Sequence, residues 1–300
     1  MQARRRRMES GNVDYHAMNG RAYITLNRPR KKNAMSNDMW RQLMTCYDMA
    51  EDDDDVRVII LQGAGDDFCA GHDFSEVGNL TKGGGSNSGP QSNRRPSQRS
   101  KLAFDKEYVE RFQRIFTSLK PSLALTKGFC LGGGLYLAEA CDLVIAADTT
   151  RMGHPEQRLG LSGAAYFDAW EIVTLGARKA RELLLMAEIW SAEEALNAGL
   201  VNKVVPLADL TEKGEEWAEK IARLPRDGIA MGKASTTLAL EMLGVNGQFT
   251  YGPLLHTLAT NIRYEPGEYN FMKTKRDKGV RASTHEREDF YKTQPNDPEI

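Results

Sequence analysis

The sequence has no C-x-x-C pair and only four cysteines, Cys46, Cys69, Cys130 and Cys141, scattered over 300 residues. That spacing excludes a disulfide framework or a clustered zinc site and fits buried thiols in a reducing compartment. A surplus of one charge sign is also missing, with 40 Lys+Arg against 41 Asp+Glu. The balance argues against a dedicated nucleic-acid binder and leaves polyanion affinity to local patches. No apolar run approaches the ~18 residues that a membrane span requires, and the mean hydropathy is -0.51. Internal repeats, a G-x-x-x-x-G-K-S/T phosphate loop and a G-x-G-x-x-G turn after the first strand are absent too, which sets aside the common nucleotide-binding loops. What remains reads as a soluble globular protein, long enough to bury roughly 75% of its unfolded surface in a core. The Arg4 to Arg7 run has no apolar stretch after it, and Glu9 and Asp14 interrupt any amphipathic presequence. Residues 1–12 therefore read as a basic flexible tail on a cytoplasmic protein, with mitochondrial import as the alternative that an Arg-rich start leaves open.

Short apolar runs alternate with longer helical patterns, the order of an α/β fold. Strands are predicted at residues 22–26, 57–61, 122–126, 142–147 and 200–205, each brief and apolar enough to be covered on both faces. Ser36 is placed to cap a helix whose apolar residues Met39, Trp40, Leu43, Met44 and Tyr47 recur at helical spacing. Phe104, Tyr108, Phe112, Ile115, Phe116 and Leu119 repeat the pattern. Ser191 and Glu194 form an S-x-x-E capping box, and Gly199 stands where a left-handed cap would close that helix. Residues 13–206 thus form an α/β core, interrupted at about 81–101 by a Gly/Ser/Pro-rich, positively charged segment that predicts a flexible insert. From 207 to 300 the strand signal disappears and successive helices follow.

Two glycine-bearing segments follow strands and can present backbone N–H groups: Phe68-Cys-Ala-Gly-His-Asp73 and Gly128-Phe-Cys-Leu-Gly-Gly-Gly-Leu135. The second runs straight into a helix, so an amide near Gly133 lies at a helix N-terminus, a ready site for an anion or a developing oxyanion. Close packing accounts for a glycine run equally well. Further on, Gly153-His-Pro-Glu-Gln-Arg-Leu-Gly160 is a compact turn on which Pro155 restricts the backbone and Glu156 stands as a candidate general base. Taken alone, Glu156 also reads as a solvated turn residue.

These segments, with the loop N27-R-P-R-K-K-N-A-M35, the helix L137-A-E-A-C-D142 and the later S-A-E-E-A-L-N-A-G-L-V-N-K-V-V, stand in the order and spacing of the crotonase (enoyl-CoA hydratase/isomerase) superfamily. The chain resembles that family over about residues 13 to 263. The resemblance implies a crotonase-like spiral of repeated β-β-α units with a C-terminal helical region that serves trimerisation, as a homotrimer or a dimer of trimers. It implies an acyl-CoA thioester substrate, no permanently bound cofactor and no metal. The oxyanion amides fall on His72 and Gly133, whose preorganised N–H groups would hold the charge that develops on the thioester carbonyl. Only the backbone of His72 is needed. Arg28, Lys31, Ala70, Asp73 and Phe74 would flank the CoA. Hydratases of the family use two glutamates, and here the first of those positions holds Tyr136 while the second is Glu156. The position eight residues past Glu156, where dienoyl-CoA isomerase-like members carry an aspartate, is Ala164.

One carboxylate suits double-bond isomerisation, in which a single base moves a proton along the acyl chain. A phenol can also hold a water, so Glu156 with Tyr136 still permits addition of water to an enoyl-CoA. Tyr136 as aromatic pocket lining is the plainer reading of the same residue. The expectation is a lyase or isomerase of hydratase/isomerase type, with acyl-CoA hydrolysis as a further alternative. From a different class, a non-catalytic binder gripping RNA or an acidic protein through Arg4 to Arg7, Arg94, Arg95 and Arg99 would show steep salt dependence.

Overall fold

The computed structural model describes residues 4–7, 11–76, 97–161, 166–259 and 263–292. Short apolar runs become strands where both faces can be covered. In chain order they are β1 (Arg4–Arg7), β2 (Val13–Met18), β3 (Arg21–Leu26), β4 (Val58–Gly63), β5 (Ser122–Thr126), β6 (Phe129–Leu131), β7 (Leu143–Ala147), β8 (Arg151–Gly153), β9 (Ile189–Ser191) and β10 (Lys203–Val205). The main sheet runs β1-β2-β3-β4-β5-β7-β10, antiparallel over the first three strands and parallel thereafter. A smaller sheet, β6-β8-β9, lies alongside. The helices are α1 (Asn37–Asp52), α2 (Gln98–Phe116), α3 (Gly133–Ala140), α4 (Asp168–Met186), α5 (Ala192–Ala198), α6 (Leu210–Ala222), α7 (Arg226–Met242), α8 (Gln248–Ala259), α9 (Phe271–Lys278) and α10 (Val280–Tyr291).

The repeated unit is visible in this order. A main-sheet strand hands the chain to a short strand of the second layer and then to a helix, as in β5-β6-α3 and in β7-β8-α4. Successive side chains of a strand point to opposite faces, so the parallel strands feed two cores. Ile59, Leu61 and Ala124 face the larger one, with Trp40, Leu43 and Phe112 of α1 and α2. Val58, Ile60, Leu123 and Leu125 face the smaller one, closed by Leu210 and Ala218 of α6.

Local signals behave as their chemistry predicts. Ser36 accepts from the Met39 amide at 3.2 Å and starts α1. The Ser191/Glu194 capping box starts α5, and Gly199 ends it at φ 91. All four cysteines are free and buried. The predicted strands are all present, although 57–61 and 142–147 begin one residue late and 200–205 shrinks to its last three residues. β6, β8 and β9 escaped prediction because three residues are too few for any periodicity to register.

Two expectations need correction. The basic tail is not flexible throughout, since Arg4–Arg7 pairs antiparallel with β2 in the register Arg4↔Ala17 to Arg7↔Asp14. Without it the outer edge of β2 would leave its N–H and C=O groups unpaired. Nor does the insert reach residue 101: Ser97 accepts from the Ser100 amide and caps α2, which already includes residues 98–101. The rest of the insert, with Arg94 and Arg95, lies outside the described residues, as does Ala164.

Candidate active site

Glycine permits the close approach on which the site depends. Cys69 donates to the Phe129 carbonyl at 2.8 Å and accepts from the Leu131 amide at 3.0 Å, which lays residues 68–73 along β6. A side chain on Gly134 would come within 2.2 Å of the Cys69 carbonyl oxygen. On the other side of the segment, Met35 donates to Gly71 and accepts from Asp73. These bonds flank His72, so in this extended backbone its own N–H points the opposite way, toward α3. A Cβ built on Gly133 would stand 3.7 Å from the His72 nitrogen, and one on Gly71 would stand 3.4 Å from the Gly133 nitrogen. The two expected oxyanion amides are therefore neighbours, and neither donates a hydrogen bond among the described residues. Gly133 is also the first residue of α3, where the helix dipole adds positive potential.

Glu156 comes to the same place by a separate route. Gly132 donates to the Gly153 carbonyl at 2.9 Å, and the chain then turns through a short 3-10 helix, Pro155–Leu159, closed by left-handed Gly160. The Glu156 carboxylate ends against Gly132, where an added Cβ would meet Oε1 at 2.6 Å. Its side chain keeps 18% of its surface exposed, while those of Glu139, His154 and Glu171 keep 2% or less. Only Glu156 of this group is open to a substrate.

Behind Glu156 lies a buried cluster that sequence reading passed over. His154 Nε2 meets Glu171 of α4 at 2.5 Å and Glu139 of α3 at 3.7 Å, and Nδ1 faces Glu156 Oε2 at 3.7 Å. Burial pushes the Glu139 carboxyl well above its ordinary range, with the Glu171 charge adding to the effect. Burial alone would lower His154, but the charge of Glu171 and its hydrogen bond carry it above its ordinary value. Glu156 is raised by burial and partly pulled back by the charge of His154. Burial and the charges packed around them thus set the proton affinities of Glu139 and His154 together. The same three side chains are the one grouping among the described residues that could hold a metal ion. Glu139 carried a signal: it is the only charge in a helix whose every residue is buried.

Tyr136 sits in an aromatic cluster, with ring centroids 5.6 Å from Phe112, 5.4 Å from Tyr166, 5.7 Å from Phe167 and 4.8 Å from His154. Burial pushes its phenol well above the ordinary value, so it stays neutral. Tyr108, not singled out beforehand, brings its hydroxyl to 3.2 Å from where a Gly133 Cβ would be. The His72 ring packs edge-on against Tyr108 at 5.8 Å and is pushed down to about 4 by burial, which makes it a neutral wall.

The residues expected at the CoA divide. Arg28 is committed to Asp73 at 2.6 Å and to the Ala34 carbonyl at 3.1 Å, so the pair braces the two loops against each other. Asp73 is held below its ordinary value despite burial, by Ser75 and Arg28. Ala70 donates to the Lys32 carbonyl at 2.9 Å. Phe74 packs 5.2 Å from Phe271 of α9, and Lys31 is exposed. Asp168, the first residue of α4, accepts from the Tyr251 hydroxyl at 2.6 Å.

A spiral of β-β-α units of this kind is the fold of the crotonase class. The family model described as enoyl-CoA hydratase/isomerase matches residues 16–278. A Mycobacterium tuberculosis protein named as an enoyl-CoA hydratase is 34% identical over 236 residues, 74% of this chain and 72% of the relative. A Dictyostelium discoideum protein named as a mitochondrial enoyl-CoA hydratase is 32% identical over 219 residues, 73% of each. Among solved structures, an enoyl-CoA hydratase from Mycobacterium smegmatis superposes with a TM-score of 0.80 at 27% identity and 93% coverage of both chains. The chain belongs to the enoyl-CoA hydratase/isomerase family.

Proposed function

We propose that the protein adds water across the double bond of a 2-enoyl-CoA thioester, with Glu156 as the acid/base group at C2. The observation that carries this reading is the Glu156 carboxylate lying against Gly132, beside the facing His72 and Gly133 amides. Attack at C3 of an unsaturated thioester sends negative charge to the carbonyl oxygen. Two fixed amides hold that charge without reorganising, and losing one such donor costs about 3 kcal/mol. Glu156, raised by burial, is suited to exchanging a proton with the enolate carbon. Tyr136 shapes the acyl pocket with its neutral ring. CoA enters as part of the substrate, along the loops of Ala70, Phe74 and Lys31 that the Arg28–Asp73 pair braces, and no permanent cofactor is needed.

Isomerisation of a double bond by Glu156 alone is the second reading. The placement of Tyr136 among aromatic rings rather than at a polar partner favours it. The test is mass spectrometry in D₂O on 2-enoyl-, 3-enoyl- and cyclic enoyl-CoAs. Mass gain by one water supports hydration, and deuterium uptake without added water supports isomerisation. Free CoA would instead indicate hydrolysis. Glu156→Gln is expected to lower kcat by ~10²-fold or more at little changed KM.

The apolar residues that α7 leaves exposed, Met231 at 72% and Met242 at 83%, support a homotrimer built through residues 207–300. Among the described residues no helix is long and apolar enough to cross a membrane, and the free thiols suit a reducing compartment such as the cytoplasm.

A further inference from the structure

Adding water moves two protons. One leaves the water as oxygen bonds to C3, and one arrives at C2. Glu156 serves the second, and Tyr136 occupies the place where the family's other glutamate would serve the first. A neutral phenol buried among rings is a poor acceptor for a proton from water.

Another group is oriented for that task. His256 of α8 places Nδ1 3.0 Å from Asp105 Oδ1 of α2. A carboxylate only accepts, so this bond puts a hydrogen on Nδ1, and in the neutral ring it is Nε2 that carries the lone pair. Lys101 Nζ is farther from the same nitrogen, at 3.5 Å, and is committed to Asp105. Asp105 itself is pinned, since its other oxygen accepts from Thr257 at 2.7 Å and its side chain is 1% exposed. Burial would raise Asp105, but the hydrogen bond from His256 and the charge of Lys101 hold it below its ordinary value. It stays an anion. Nε2 of His256 has no hydrogen-bond partner among the described residues, and the side chain is 18% exposed, the same fraction as Glu156. Its ring lies 5.4 Å from Tyr166, and Tyr166 lies 5.4 Å from Tyr136 and 5.8 Å from Tyr108. The imidazole therefore borders the same aromatic pocket, within electrostatic reach of both Glu156 and His72.

We infer that His256 is the general base that takes the proton from the attacking water, with Asp105 as its positioning residue, in the role for which Tyr136 is unfit. The inference rests on the hydratase reading. Water gives one proton to His256 Nε2 while its oxygen bonds to C3, and the π electrons pass to the thioester oxygen held by the His72 and Gly133 amides. The enolate returns its electron pair to C2, which takes a proton from Glu156. After product leaves, the proton on His256 returns to Glu156 through solvent, so one water is consumed and both groups are restored.

The experiment separates the two proton transfers. Hydration of crotonyl-CoA and exchange of the C2 hydrogen of butyryl-CoA with D₂O are both measured in the wild type, His256→Gln, Asp105→Asn and Glu156→Gln. The expected result is a hydration kcat lowered ~10²-fold in His256→Gln, with Glu156-dependent exchange still present. Asp105→Asn should lower kcat more than it raises KM. In His256→Ala, added imidazole should restore part of the hydration rate. Equal retention of hydration and exchange in His256→Gln would overturn the inference, and so would equal loss of both, which marks a merely structural histidine. If the wild type exchanges but never hydrates, it is the hydratase reading that fails.

Discussion

At the residue scale, the site turns on a carboxylate whose proton affinity is set by opposing neighbours. Burial holds Glu156 above its ordinary range, and the His154 charge, 3.7 Å away, pulls it down. Replacing His154 by Gln removes only the downward pull. The limb of the kcat/KM pH profile that reports Glu156 is therefore expected to move to higher pH in His154→Gln, and a limb that stays or moves down would show that the two groups do not interact. Glu156 was legible in the sequence because a turn between a proline and a glycine advertises itself. The partners of His154 were not, since Glu139 and Glu171 are 32 residues apart and come together only in the folded chain.

At the scale of elements, the proposed oxyanion amides are placed by two backbone segments that touch. A methyl group on Gly134 would overlap the Cys69 carbonyl, which is backbone and cannot swing aside. Gly134→Ala is thus expected to part residues 68–73 from α3 and to cost more than the loss of one amide donor alone, about 3 kcal/mol of transition-state stabilisation. Steady-state kinetics beside a thermal melt check this; an unchanged kcat/KM would mean that the segments are not so tightly coupled. Capping at Ser36, Ser191 and Gly199 was readable because those signals act within four residues. The short strands of the second sheet were not, because their pairing partners lie far away in sequence.

For the whole molecule, the buried cluster couples stability to pH. Glu139 and His154 both have folded-state affinities for protons raised above their ordinary values. A raised group contributes stability fully below its unfolded pKa and loses it as pH climbs through the folded one. The melting temperature is therefore expected to fall as pH rises from the acid range, where both groups are protonated, through neutral. In Glu139→Gln, which keeps the shape without the proton, that fall should be shallower, as a calorimetric scan across the same range would show. The exposed face of α7 makes a second claim at this scale. Substituting Met231 and Met242 by Lys is expected to break the proposed trimer and lower the mass seen in light scattering, whereas an unchanged mass would place the assembly surface elsewhere.

The amino-acid sequence by itself determined what depends on near neighbours: the α/β alternation, the helix caps, the glycine-bearing turns and the candidate Glu156. Its family resemblance also pointed to the His72 and Gly133 amides, and the glycine run fits that reading, because only a residue without a side chain tolerates the 2.2 Å approach that a Cβ on Gly134 would make to Cys69. Tertiary structure alone decided which distant groups face one another. Asp105 and His256 are 151 residues apart by number, yet α2 and α8 set them 3.0 Å from each other. No periodicity encodes such a meeting. It is fixed by which helix faces can be buried together, and that is a property of the whole packed chain.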